Sequence, residues 1–87
     1  MSGFSRVKTL TVRGQLRDNE WTADIDGETV GLTALILPAL EGQRTLTAEE
    51  CTLLLPSGKE LRVTSVSGYR TDVKVTYVTV SAWLMIP

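Results

Sequence analysis

Three carboxylates surround a glycine in residues 24–28, Asp-Ile-Asp-Gly-Glu, and such groups serve elsewhere as calcium ligands or as acid–base pairs. A calcium loop centred on this glycine needs acidic ligands where Thr22 and Thr33 stand, including a closing glutamate. Asp24 and Asp26 lie on the same face of one strand beside a turn, so nothing separates their environments as acid–base catalysis requires. The segment therefore predicts a hairpin with solvent-facing carboxylates, and neither a metal site nor a catalytic pair.

Cys51 and Lys59 are the other residues whose types could support chemistry. Cys51 has no histidine base, because the chain contains none, and its neighbours Glu49 and Glu50 supply no cation to stabilise a thiolate. Residues 57–59, Ser-Gly-Lys, resemble the end of a phosphate-binding loop, but the earlier glycine and the following hydroxyl of that motif are missing. The sequence therefore predicts a non-enzymatic protein with no cofactor and no small-molecule substrate.

Aromatic and basic side chains lie close together near the end of the sequence, a combination that binds single-stranded nucleic acid by base stacking and phosphate contact. The candidates are Arg13, Tyr69, Arg70, Lys74 and Tyr77. The net charge of −1 disfavours this function, because phosphate neutralisation supplies most of the affinity in such complexes. Nucleic-acid binding by a small barrel is therefore the alternative function rather than the leading one.

The composition is that of a globular domain, since 43% of the 87 residues are hydrophobic and 22% are charged. We expect a single β domain over residues 1–87, because no repeat or linker interrupts the chain. A lone cysteine permits no internal disulfide, and no apolar run approaches the roughly 20 residues that cross a bilayer. We therefore expect a cytoplasmic protein without a membrane partner, or a virion component if the source is viral.

Charge is unevenly distributed along the chain. Residues 1–17 carry four cations and no acid, residues 18–50 carry one cation and eight acids, and residues 51–87 carry four cations and two acids. These segment charges of +4, −7 and +2 sum to the net −1. If the first and last strands pair, they form a basic side opposite an acidic one, which is a polarity suited to head-to-tail self-association.

The elements that must position these residues are mostly strands. Apolar and polar residues alternate in residues 10–17 and 21–26, which predicts two strands joined by a turn at 17–20. The dipeptide Asp26-Gly27 predicts a tight hairpin into a third strand, because both residues tolerate a positive φ.

The segment after this hairpin is ambiguous. A third strand to about residue 37 with a turn over 38–42 is the preferred interpretation, because Pro38 interrupts a helix that begins before it. Residues 32–40 also fit one helical face, so strand, helix and loop all stay open there.

The rest of the chain is predicted as further strands with short turns. They are a capping-box turn at 47–50, a strand at 51–55, a hairpin turn at 56–59, a strand around 61–63, a loop at 67–69 and a last strand over 71–86. The fold class is therefore all-β with at most one short helical turn: a small antiparallel β-barrel or sandwich of about six to seven strands. SH3-like, OB-like and immunoglobulin-like topologies all fit this pattern.

Both faces of the last strand are apolar near its end, and a small barrel has only one interior. The second face must be covered by the segment around residues 34–40, by a bulge, or by another chain. We predict another chain, with a protein interface centred on Leu35, Ile36, Leu37, Leu84 and Ile86. The leading hypothesis is thus an interaction or assembly module that binds copies of itself or a larger protein, of the kind found among viral structural and accessory proteins.

Overall fold

A computed structural model describes residues 3–42 and 47–87. Within those ranges the elements, in chain order, are β1 Arg6–Arg17, β2 Glu20–Ile25, β3 Glu28–Gly31, α1 Thr33–Glu41, β4 Thr52–Leu54, β5 Glu60–Thr71 and β6 Thr76–Ile86. The strands form one antiparallel sheet, ordered β3-β2-β1-β6-β5-β4, that curls into a half-barrel. The predicted fold class of a small all-β barrel or sandwich is confirmed. No helix in residues 3–42 and 47–87 is long and apolar enough to span a membrane.

The two central strands, β1 and β6, each present a more buried face and a more exposed face, as their alternation predicts. On β6 the buried side chains, which line the concave side of the sheet, are Val78, Val80, Ala82 and Leu84. The intervening residues point to the convex side: Tyr77, Thr79, Ser81, Trp83 and Met85. The β1–β6 register continues both faces across the sheet, because Gly14 is opposite Val78 and Arg13 is opposite Thr79.

The helix α1 covers the concave side and contacts β2 and β5. The predicted strand over residues 28–37 is therefore wrong beyond Gly31, where β3 ends. Leu35 and Ile36 are adjacent in sequence and both buried, which a strand cannot achieve on one face but a helix can. Pro38 lies inside the helix and removes a single hydrogen bond, to the carbonyl of the exposed Ala34, so the packing of the apolar face outweighs its cost.

Gly14 is the point where the helix meets the sheet. A Cβ atom at this position would lie 3.2 Å from Ile36 Cδ1 and 3.3 Å from Val78 Cγ2. A glycine within a strand often marks such a close approach of another element. The absence of a side chain at Gly14 therefore sets how deeply α1 sits in the half-barrel.

Strand β5 is irregular in two places, where its register against β6 shifts after Val63 and after Ser67. At the first shift, Thr64 Oγ1 donates a hydrogen bond to the Ser81 carbonyl over 3.0 Å. At the second shift, Gly68 adopts a positive φ of 66°. Two predictions about this region are therefore wrong. Residues 67–69 belong to the bulged strand β5 rather than to a loop, and the last strand begins at Thr76 instead of residue 71.

Polar side chains at the tips of two hairpins contact each other. We call these contacts the clasp, which consists of Asp26 and Glu28 from one hairpin and Ser57 and Lys59 from the other. Lys59 Nζ lies 2.9 Å from Asp26 Oδ2, and Ser57 Oγ donates to Glu28 Oε2 over 2.6 Å. Lys8 Nζ lies 3.8 Å from Asp26 Oδ1. The hydrogen bond from Lys59, its charge and that of Lys8 lower the pKa of Asp26 below its ordinary value.

Candidate functional site

The five residues of the predicted interface do not form one surface. Leu35, Ile36 and Leu84 lie in the core of the domain itself, where each is at most 3% exposed, and Ile86 is half-buried against that core. Leu35, Ile36 and Leu84 are enclosed between α1 and the concave side of the sheet, so these three side chains are not available to another chain in the folded protein. Leu37 is the most exposed of the five, with 44% of its surface open to solvent on the outer side of α1.

The residues proposed for nucleic-acid contact are partly brought together. Arg13, Arg70 and Tyr77 share the convex side, where the Arg13 guanidinium lies over the Tyr77 ring with 4.1 Å between Cζ and the ring centroid. Arg70 is directly opposite Tyr77 in the β5–β6 register. We call these three residues the arginine cluster. Lys74 lies separately in the turn between β5 and β6.

Tyr69 is the one candidate that faces away from this cluster. Its ring makes an edge contact with the buried Trp21, with 6.3 Å between centroids and 60° between ring planes. Because the bulge at Gly68 turns the strand, Tyr69 borders the concave core while its neighbour Arg70 stays on the convex side.

The other end of the convex side carries an exposed apolar surface whose residues are not among those predicted for the interface. Trp83 is 48% exposed, Val7 is 55% exposed and Leu54 is 78% exposed, and the half-buried Met85 lies opposite Val7 in the β1–β6 register. We call these four residues the Trp83 patch. The sequence did contain a signal for this surface, because Trp83 has an odd number and therefore points away from the even-numbered residues Val78 to Leu84. It does not show which of the two faces is buried.

An open groove of about 610 Å³ runs beside Trp83, where β4 ends the sheet. Its floor comes from β4 and β5, and the segment before β4 forms a wall. The lining includes Cys51, Leu54 and Trp83 together with three charged residues, Glu49, Glu60 and Arg62. Cys51 is half-buried there, and its carbonyl accepts a 2.9 Å hydrogen bond from the Val63 amide. Thr47 and Glu50 exchange the two hydrogen bonds of the predicted capping box, which shapes this wall.

A strip of hydroxyl side chains separates the two ends of the convex side. They are Thr9, Thr11, Ser65, Ser67, Thr79 and Ser81, which are matched to one another by the registers of β1, β5 and β6. Tyr77 and Trp83 are six residues apart on β6, so the arginine cluster and the Trp83 patch are separated by about 20 Å. The convex side therefore carries the arginine cluster at one end, hydroxyl side chains in the middle, and at the other end exposed apolar side chains with the charged pair Glu60 and Arg62 among them.

The remaining chemical candidates are occupied by structural contacts. Lys59 is bound to Asp26 in the clasp, and Asp24 accepts a 3.1 Å hydrogen bond from Thr29. Across residues 3–42 and 47–87, no three His, Cys, Asp or Glu side chains are placed to hold a metal ion.

No protein-family model, curated protein or solved structure matches this chain. The convex side, with its groove, is thus the candidate site on geometry alone.

Proposed function

We propose that this chain is a non-enzymatic protein-binding module that uses the convex side of its sheet to join an assembly. The observation that carries the proposal is the exposure of Trp83 on a domain whose core is already filled by other side chains. Burying the exposed half of a tryptophan removes about 120 Å² of largely apolar surface and stabilises a complex by about 3 kcal/mol. Tryptophan and arginine are also the residues most enriched at the energetic centres of protein interfaces.

The distribution of cations favours a protein partner over a nucleic acid. Proteins that bind single strands present a basic groove that follows the phosphates along the whole path. On this convex side the arginine cluster occupies one end, and the strip beyond it carries hydroxyls without charge. Arg62 at the far end forms an ion pair with Glu60, with 3.4 Å between Nη2 and Oε2. This pattern suits a partner surface with a local acidic group and a separate apolar side chain.

Selection of peptides from a random display library against the immobilised protein tests the proposal. We expect enriched peptides that bind the wild type and bind Trp83→Ala about tenfold or more weakly, as the loss of a buried aromatic contact implies. The matched control is Val73→Ala, because Val73 is 93% exposed but lies in the turn before β6, away from the convex side. Peptides that bind wild type and Trp83→Ala equally, or no enrichment at all, would contradict the proposal.

Single-stranded nucleic-acid binding is the second candidate, and the stack of Arg13 on Tyr77 with Arg70 alongside supports it. None of the ion pairs among the described residues involves Arg13 or Arg70, so both charges are available to phosphates. Titration of labelled oligo-dT and oligo-rU at low and moderate salt tests this function. Binding that weakens steeply with salt and is lost in the Arg13→Ala, Arg70→Ala double variant would favour it over the first candidate.

A further inference from the structure

Strand β5 has an open edge beyond the point where β4 leaves it. β4 pairs with residues 60–62 only, and the last contact along this line is the hydrogen bond from the Val63 amide to the Cys51 carbonyl. From Thr64 onward, the only strand that pairs with β5 in residues 3–42 and 47–87 is β6. The outward N–H and C=O groups of this stretch therefore have no strand partner in that part of the chain.

Two bulges limit this open edge to four residues. The register of β5 against β6 shifts after Val63 and again after Ser67, where Gly68 has a φ of 66°. A bulge bends the strand and interrupts regular pairing. We call residues 64–67 the β5 edge, and three of its four side chains are exposed. It contains neither proline nor a charged side chain, the features that usually block pairing with a further strand.

The groove beside Trp83 begins where the β5 edge begins. Val63 and Thr64 belong to the lining of the groove, together with Cys51 from the segment that leaves the sheet. A strand placed on the β5 edge would follow the line of β4, so a side chain at its end on the convex side would point into the groove. The open backbone and the groove are therefore adjacent parts of one surface.

The charges of the groove do not select a partner. Glu49, Glu60 and Arg62 all belong to its lining, and Arg62 is already paired with Glu60 over 3.4 Å. Beyond the groove, the convex side of the β5 edge carries the hydroxyls of Ser65 and Ser67. The features that remain for recognition are the main-chain groups of the edge and the apolar surface of the groove, which together suit strand addition.

The size of the β5 edge distinguishes a peptide from a second folded copy. Four residues of strand extend about 14 Å and sheets pack about 10 Å apart, so two copies joined through this edge alone bury about 300 Å² in total. A stable interface needs about 1,200 Å² or more. A flexible peptide is not limited to the edge, because it can continue into the groove of about 610 Å³ and cover Trp83 as well.

We propose that an extended peptide segment of a partner protein adds to the sheet at the β5 edge, antiparallel to β5, with an apolar side chain in the groove beside Trp83. The main chain of the segment bonds the open N–H and C=O groups of residues 64–67, and the segment is about six to eight residues long. This inference rests on the proposed function and specifies the form of the partner.

N-methylation of a bound peptide, one position at a time, tests the inference with the peptides enriched on the immobilised protein. An added antiparallel strand turns alternate N–H groups toward β5 and the others toward solvent. We expect methylation to weaken binding about tenfold or more at every second position of the paired run, and to change it little at the positions between. Binding through side chains alone gives no such period of two, and that result overturns the inference.

Hydrogen exchange of the protein locates the bound peptide. The exchanging amides of residues 64–67 should slow about tenfold or more in the complex. The amides of β3, the edge strand at the other end of the sheet, are the control and should not change. Protection of residues 64–67 that rises with protein concentration in the absence of peptide indicates a second copy at the edge and overturns the choice of a peptide.

The failure of this inference is distinguishable from the failure of the proposed function. Peptides that need Trp83 but leave residues 64–67 unprotected contradict the inference alone, since the convex side then binds without strand addition. A selection that enriches no peptide contradicts the proposed function and the inference together.

Discussion

Substitution of Gly14 by alanine measures how tightly α1 is packed into the half-barrel. The added methyl group would lie 3.2 Å from Ile36 Cδ1 and 3.3 Å from Val78 Cγ2, so at least one neighbour has to move by a few tenths of an ångström. Replacing glycine reduces the entropy of the unfolded chain and by itself stabilises by about 0.4–1 kcal/mol. Overpacking of a filled core costs about 1–3 kcal/mol. The larger effect wins, and we expect a net destabilisation of about 1–2 kcal/mol.

Chemical denaturation and thermal melting of Gly14→Ala provide the measurement. For a domain of this size the expected loss lowers Tm by about 5–15 °C. Gly31→Ala is the matched control, because a Cβ there meets nothing within 4 Å and the residue has no positive φ. The control should be as stable as the wild type or slightly more stable.

A double-mutant cycle with Ile36→Val identifies the cause. Valine lacks the Cδ1 atom that makes the closest contact, so Gly14→Ala should cost less in the Ile36→Val background than in the wild type. Costs that add without coupling, or a Gly14→Ala protein as stable as Gly31→Ala, would refute the packing argument.

Three further changes test other parts of the fold. Leu84→Asp should unfold the protein outright, seen as loss of the near-ultraviolet dichroism, because Leu84 is fully buried and an unpaired carboxylate cannot be solvated there; a folded monomer would contradict its place in the core. Since the pKa of Asp26 is lowered by Lys59, the ionised clasp stabilises the fold above the ordinary aspartate pKa of about 4, and this contribution disappears as the pH falls through the lowered value. The difference in Tm between wild type and Asp26→Asn should therefore be largest near neutral pH and shrink in acid, whereas a difference that grows in acid would exclude the clasp as its source. Gly68→Ala should cost about 1–2 kcal/mol in urea denaturation because of its positive φ, and an unchanged midpoint would show that the bulge tolerates a side chain.

Much of the sheet could be predicted because β1, β2 and β6 alternate with a period of two. The alternation in residues 10–17 and the Asp26-Gly27 turn both appear in the structure as expected. The helix could not be predicted, because a proline in the middle of nine residues weighs against a helix locally, and only the packing of Leu35 and Ile36 on the sheet compensates for it. The bulges in β5 were also hidden, since a glycine within a strand has the same local signal as a glycine in a turn.

The candidate site was less accessible than the fold. Arg13, Arg70 and Tyr77 were recognised by type, but their common position depends on the register of three strands, which no local pattern specifies. Trp83 was missed because the apolar excess was assigned to the even-numbered side chains of β6. Those residues, including Leu84, are needed to fill the core under α1, and the surplus lies on the opposite parity.

The order of strands in the sheet has a consequence for how quickly the chain folds. Each half of the sheet, β1 to β3 and β4 to β6, is a meander whose neighbours are joined by short turns and can pair early. The pairing that unites the halves, between β1 and β6, extends from Arg6↔Ile86 to Leu16↔Thr76 and so joins residues 60 to 80 positions apart. Neither meander buries the core alone, and closing so long a loop costs chain entropy before any of its contacts form. The most non-local pairing of the molecule thus lies at the centre of its sheet. We therefore expect stopped-flow experiments to show refolding in milliseconds to seconds, as in other β domains of high contact order.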